Sequence, residues 1–172
     1  MFSLFNKNPE SNLAAVDRIT LDADDRFLDL GCGLGAALEH AAITGAWIAG
    51  IDPSPSMVER ASARVPQGEV RLESAESIPF EDDAFTAAIS ISTYHHWADA
   101  EIGLKEVRRV LAPGGRLLIV ERKLKRSSGH GLDEAGAARL GELLESHGYT
   151  SVDVDTIKVG RAEYLAVSAV KA

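Results

Sequence analysis

The chain has 172 residues, 45% of them apolar and 26% charged, the balance of a folded domain with its own core and not of a disordered or fibrous chain. A net charge of −8 argues against a nucleic-acid-binding surface, which is basic. The one cysteine, Cys32, excludes an internal disulfide, the opening MFSLFNKNPES lacks the apolar centre of a secretory signal, and no later run approaches a membrane span, so a cytoplasmic protein is expected.

Asn8-Pro9 is a helix start, with Asn as N-cap and Pro at the first helical position. Leu13, Val16 and Ile19 then share one face of a short leading helix, over about residues 9–20. Asp24-Asp25 turns into a strand, Arg26 to Leu30. That strand carries Asp29 inside an apolar run and breaks into glycines at 31, 33 and 35. A carboxylate in a buried strand is costly without a cationic or hydrogen-bonding partner. The glycines allow sharp turning and let a ligand approach the backbone. Ala36 to Thr44 reads as a helix with Leu38, Ala41 and Ala42 inward, ended by Gly45. Strand, glycine loop and helix together describe a nucleotide-type cofactor site.

Trp47 to Ile51 is a second strand, closed by Asp52. Ser54 caps the next helix, Pro55 opens it, and Val58, Ala61 and Val65 share its face. After the turn Pro66-Gln67-Gly68, strands are expected at Val70 to Ser74 and Ala84 to Ser90. A helix from about Asp99 to Leu111 turns Leu104, Val107 and Leu111 inward, and Pro113-Gly114-Gly115 breaks the chain before the strand Arg116 to Val120. Leu124 to Gly131 is polar and loop-like. Ala137, Leu140, Leu143 and Leu144 mark a last amphipathic helix, stopped by Gly148. Ser151 to Ile157 and Glu163 to Val170 form a closing antiparallel hairpin through Lys158 to Arg161. Alternating strands and helices predict an α/β fold: a Rossmann-like, doubly wound, mostly parallel sheet in three α/β/α layers. Residues 1–172 are expected to form a single domain, with its core over about 25–171.

Residues 31–36 also satisfy G-x-G-x-x-A, a dinucleotide fingerprint, and Asp52 suits either kind of nucleotide cofactor. Three features part the readings: the extra acid Asp29, the absence of room for a second domain, and the APGG break. With these, LDLGCGLG (28–35), GIDPSPSMVERA (50–61), SAESIPFEDDAF (74–85), STYHHW (92–97) and EVRRVLAPGGRLLIVE (106–121) stand in order and at fitting spacing. In these pieces the sequence resembles the class I S-adenosylmethionine-dependent methyltransferases, in the small-molecule branch that includes the ubiquinone and menaquinone biosynthesis enzymes.

The resemblance implies a seven-stranded sheet with the last strand antiparallel, S-adenosylmethionine as cofactor and S-adenosylhomocysteine as product. Carried over by position, it implies that Asp29, Gly31, Cys32, Gly33 and Gly35 hold the methionine end. Asp52 takes the ribose hydroxyls, with Pro53 and Met57 near the adenine. Ser74, Ala75 and Glu76 lie at the adenine edge, and Ser90 lies beside the methionine portion. Two positions depart from the family's frequent pattern: Ser74 and Thr86 stand where Asp is common, which would soften cofactor affinity.

Tyr94, His95, His96 and Trp97 follow the fourth strand, where the methyl group should lie. His95 or His96 would orient or deprotonate an acceptor; Trp97 reads as packing. No metal is expected. The basic run Arg122, Lys123, Lys125, Arg126 reads as a solvated loop that an anionic substrate or lipid surface could also use. With one short helix ahead of the sheet and about a dozen residues after the fifth strand, an open acceptor cleft is expected, closed by a bulky small-molecule substrate or by the second subunit of a homodimer. The leading reading is a methyltransferase; the alternative is a cofactor-binding sensor or partner subunit that no longer catalyses.

Overall fold

A computed structural model describes residues 9–125 and 129–172. Its elements run α1 (Pro9–Ile19), β1 (Arg26–Leu30), α2 (Ala36–Ala42), β2 (Trp47–Asp52), α3 (Pro55–Arg64), β3 (Glu69–Leu72), β4 (Phe85–Ile91), α4 (Ala100–Val110), β5 (Leu111–Arg122), α5 (Glu134–Ser146), β6 (Tyr149–Val159) and β7 (Ala162–Lys171). A 3₁₀ turn, Tyr94–His96, leads from β4 toward α4. The seven strands form one sheet in the order β3-β2-β1-β4-β5-β7-β6. The pairs from β3 through β5 are parallel, and β7 runs antiparallel to both β5 and β6. The expected seven-stranded sheet and its antiparallel last strand are therefore present.

Strand period sets the layers. Phe27 packs with α1 and α2 residues such as Val16, Leu38 and Ala41, whereas Leu28 and Leu30 pack with Leu104 and Val107 of α4 and Leu140 and Leu144 of α5. Central strands are apolar on both sides because helices cover both faces. At the sheet edge, β3 is half-exposed.

Several local readings change. Leu13 is exposed, and Ser11, Asn12 and Ala15 join Val16 and Ile19 on the buried face of α1. The Pro113-Gly114-Gly115 break lies within β5, not ahead of it. Leu111 already pairs with Phe85, the chain bulges, and pairing resumes at Arg116 with Ala87. The bulge turns on Gly114, with φ at 75°. The hairpin connection is only Gly160-Arg161, because pairing continues to Val159 and Ala162. Ser54 sits at the N-cap of α3 without a side-chain capping bond; its N–H instead donates to Asp52 Oδ1 at 2.9 Å. Among the described residues the side-chain caps are Asp99, accepting from Ile102 N–H at 3.0 Å, and Asp133, accepting from Gly136 N–H at 2.7 Å; Asn8, the expected cap of α1, lies outside the described residues. No helix among the described residues is long and apolar enough to cross a membrane.

Candidate functional site

The glycine loop leaves β1 under tight control. The N–H groups of Gly31 and Cys32 both donate to Ile51 O, at 2.8 and 2.9 Å, and Gly33 N–H donates to Asp52 Oδ2 at 2.9 Å. Asp52 thus fastens the loop with one oxygen and the start of α3, through Ser54, with the other. Gly31, Gly33 and Gly35 all have positive φ, where a side chain is strained. They differ in surroundings. A Cβ on Gly35 would press on Ala61, but one on Gly33 would meet nothing within 4 Å. The loop is packed from below and open at Gly33.

A Cβ on Gly31 would lie 2.6 Å from Thr93 Cγ2, and the φ of Gly31 is 76°. Gly31→Ala is expected to cost about 2–4 kcal/mol, combining left-handed strain with the collision. Urea unfolding reads this directly; a loss under about 1 kcal/mol would mean that loop and Thr93 separate freely.

Asp29 is buried to 3% exposure, and no hydrogen bond to its carboxylate is found among the described residues. Burial, and then the nearby Asp52 charge, push its pKa up to about 7. The expected partner is thus not supplied by the described residues. Cys32 is buried and its thiol is pushed up by the same burial and then by Asp29 and Asp52, so it is inert as a nucleophile and acts as a small filler against Gly50.

The remaining residues of the expected cofactor site fall around this loop or beyond β3. Pro53 is exposed and Met57 half-buried at the start of α3. Ala75 is buried. Ser74 and Glu76 are half-buried, and Glu76 accepts from Asp99 N–H at 3.2 Å, tying the segment to the head of α4. Arg109 holds the same segment from behind, donating to Ile78 O and Phe80 O, both at 2.8 Å. Thr86 is elsewhere. It lies at the amino end of β4 and donates to Asp25 Oδ1 at 2.6 Å, so its effect on cofactor affinity is withdrawn.

At the carboxyl end of β4, Ser92 takes a φ of 56°, a strained value for a non-glycine residue. The turn it makes brings Thr93 over the loop, where Thr93 Oγ1 donates to Leu30 O at 2.8 Å and pairs with the fully buried Ser90 hydroxyl at 2.8 Å. Ser90 is thus committed to Thr93. Next, His95 Nδ1 lies 2.7 Å from Oε2 of Glu121, which ends the buried part of β5 and is wholly enclosed. His95 N–H also donates to Glu121 Oε1 at 3.3 Å. With Nδ1 donating to the carboxylate, Nε2 is left as the basic nitrogen. His96 and His130 stand beside it, with ring centroids 4.0 and 5.6 Å from that of His95. Burial, then His95 and His130, hold the His96 pKa below its ordinary value. Trp97 packs on Gly103 and edge-on to Tyr94, 5.2 Å between centroids, a packing role.

Of the basic run, Arg122 and Lys123 have partners and Lys125 is exposed. Lys123 pairs with Glu134 at 2.9 Å, and the Arg122 guanidinium lies 5.9 Å from the Tyr164 ring; Arg126 lies outside the described residues.

Sequence reasoning missed Thr93, Glu121 and His130. Glu121 carried the same signal as Asp29, an acid at the end of an apolar strand. His130 carried none, since only the fold returns its loop to the histidines.

A methyltransferase domain model matches residues 28–119, more than half of the chain. An uncharacterised methyltransferase of Mycobacterium bovis is 37% identical over 106 residues, 62% of this chain and 43% of that protein. The demethylmenaquinone methyltransferase of Thermus thermophilus is 39% identical over 113 residues, 62% of this chain and 51% of that protein. The chain spans about half the length of these curated relatives. Among solved structures, the (4+2)-cyclase SpnF superposes with a TM-score of 0.80 at 22% identity, covering 95% of this chain and 81% of that one. Phosphoethanolamine N-methyltransferase 2 of Haemonchus contortus, solved with S-adenosyl-L-methionine, gives 0.77 at 19% identity, over 94% of this chain and 52% of that one. These two likenesses speak to the fold; the family rests on the sequence match across the glycine loop, both strand-end acids and the β5 motif. On that match the chain belongs to the methyltransferase-domain family, the class I S-adenosylmethionine-dependent methyltransferases.

Proposed function

We propose that this protein transfers the methyl group of S-adenosylmethionine to a small-molecule acceptor held over residues 93–96, releasing S-adenosylhomocysteine. One observation carries the reading: the buried acid Asp29, with no hydrogen bond to its carboxylate among the described residues, and the His95–Glu121 pair stand at the carboxyl ends of neighbouring strands, β1, β4 and β5, joined by Thr93. The residues fit the cofactor. A buried carboxylate that raises its own pKa to about 7 asks for a cation, and the cofactor brings an ammonium and a sulfonium. The space open at Gly33 admits a ligand close to backbone. The Asp52 oxygens, each using one lone pair on the backbone, keep another for ribose hydroxyls.

When bound, the cofactor supplies a methyl group already activated by positive sulfur. The chain then has to position the acceptor and exclude water. His95 is the residue to take the acceptor proton at Nε2, with Glu121 fixing the ring through Nδ1, and His96 lines the same side. Pro53, Met57, Ser74, Ala75 and Glu76 form the adenine end of the site in this reading.

Calorimetry with S-adenosylmethionine, followed by a methyl-transfer assay over hydroxyl, amine and phenol acceptors, tests the proposal. Absence of cofactor binding sinks it. A second reading is a chain that binds the cofactor without transferring its methyl group, since this fold is shared by a protein named as a cyclase and a fold does not by itself fix the reaction; binding with no transfer to any acceptor would support that one instead.

A further inference from the structure

We propose that His95, His96 and His130 form a binding site for a transition-metal dication of the zinc class, backed by Glu121. Each of the three offers one ring nitrogen, and the three atoms lie within 4.8 Å of one another. The ring centroids are 4.0, 5.6 and 5.9 Å apart. Imidazole nitrogens around one zinc-class ion sit about 2.0–2.1 Å from it, so modest side-chain rotation closes the set. An all-imidazole trio selects zinc, cobalt, nickel or copper and disfavours magnesium and calcium, which want oxygen.

Two features make this a built site and not a chance crowd. The first is the carboxylate behind it. Nδ1 of His95 is bound to the enclosed Glu121 at 2.7 Å, which fixes the ring and supplies a negative charge that a dication offsets. The second is how His130 arrives. Leu124 N–H donates to Leu132 O at 2.8 Å and Leu132 N–H donates to Arg122 O at 3.0 Å, so the loop is laced back onto β5. Gly131 presses so close to Arg122 O that a Cβ there would collide with it. His130 is therefore held at the same edge as the 3₁₀ turn, although it lies 34 positions after His96 in the chain.

Three protein nitrogens leave a tetrahedral ion one open position, the arrangement of reactive rather than structural zinc sites. A water or an acceptor oxygen or nitrogen fits there. The site stands on these side chains and not on the methyl-transfer reading; a bound ion would occupy the Nε2 that the reading gives to proton transfer, so the two are measured apart.

The test uses the full chain without a histidine tag, stripped with a chelator and titrated with Co²⁺, then Zn²⁺. One Co²⁺ per chain with the intense visible absorption of a tetrahedral ion, displaced by Zn²⁺, is the expected result. His130→Ala should lose that band while binding S-adenosylmethionine as wild type does. Glu121→Gln should weaken Co²⁺ about 10–100-fold. A wild-type spectrum of hydrated Co²⁺, or a band unchanged in both His130→Ala and His96→Ala, overturns the proposal. Co²⁺ binding by a chain that ignores S-adenosylmethionine would leave the metal site standing and remove the methyl-transfer reading.

Discussion

Asp29→Asn is expected to make the cofactor-free protein more stable and its cofactor binding far weaker. Its carboxyl titrates at about 7 in the fold against 3.8 as an ordinary aspartate, because burial and then Asp52 oppose its charge. Above pH 7 the group is charged folded and unfolded, and the folded state bears the full penalty. Below about pH 4 it is neutral in both and the penalty is gone. Between those limits the folded state binds more protons, so this group makes wild-type stability fall as pH rises. The gap is on the order of 4 kcal/mol. Asn keeps a buried polar amide, so the net gain at pH 8 should be nearer 1–3 kcal/mol, shrinking to nothing by about pH 4. Subtracting wild-type from variant urea curves across pH cancels the other titrating groups. Calorimetry should show S-adenosylmethionine affinity falling roughly 100-fold or more, since a charge partner for a cation is lost. A variant that is less stable at pH 8, or that binds the cofactor as tightly as wild type, contradicts the role given to Asp29.

The same acid explains how much of the molecule could be read from its residues. Asp29 stood out because glycine follows it at 31, 33 and 35; a buried charge next to a loop with positive φ has few structural uses. The mostly parallel sheet follows similarly from alternating strands and helices, whereas the strand order is seen only in the fold. Glu121 is chemically equivalent, an acid closing an apolar strand, yet no glycine punctuates the chain after it. Its meaning comes from His95, 26 positions earlier, which only the parallel pairing of β4 with β5 brings to it. Thr86 shows the converse. It neighbours Phe85 in a motif rich in site residues, but lies at the opposite end of the strand from Ser90 and bonds Asp25. Sequence adjacency locates a residue on a strand and leaves open which end of the sheet it serves. Pro113-Gly114-Gly115 misled for a related reason. Local turn chemistry is the same whether a strand starts after the turn or bulges through it, and Leu111 pairing with Phe85 decides the matter.

Replacing His95 is expected to separate catalysis from binding, on the chelator-stripped protein where no metal complicates the readout. His95→Ala would strand Glu121, a wholly enclosed carboxylate, without its 2.7 Å partner, and should cost stability by about 1–3 kcal/mol or more. His95→Gln keeps a donor toward Glu121 and is the better probe, since it removes the basic nitrogen while leaving the pocket filled. With an acceptor found in the panel, turnover should drop by about 100-fold or more in His95→Gln, the usual contribution of a positioned base. Binding of S-adenosylmethionine should stay within about twofold, because among the described residues no hydrogen bond or ion pair ties His95 to Asp29 or the glycine loop. Glu121→Gln acts through His95 and defines a positioning role. Turnover should fall by less than in His95→Gln while the acceptor KM holds, and the proton NMR spectrum should lose the downfield signal of a ring N–H held by a buried carboxylate. A structural role alone would lower stability and leave that kcat-against-KM split flat. Full turnover in His95→Gln would transfer the task to His96, whose neighbouring ring, 4.0 Å from that of His95, faces the same side of the site.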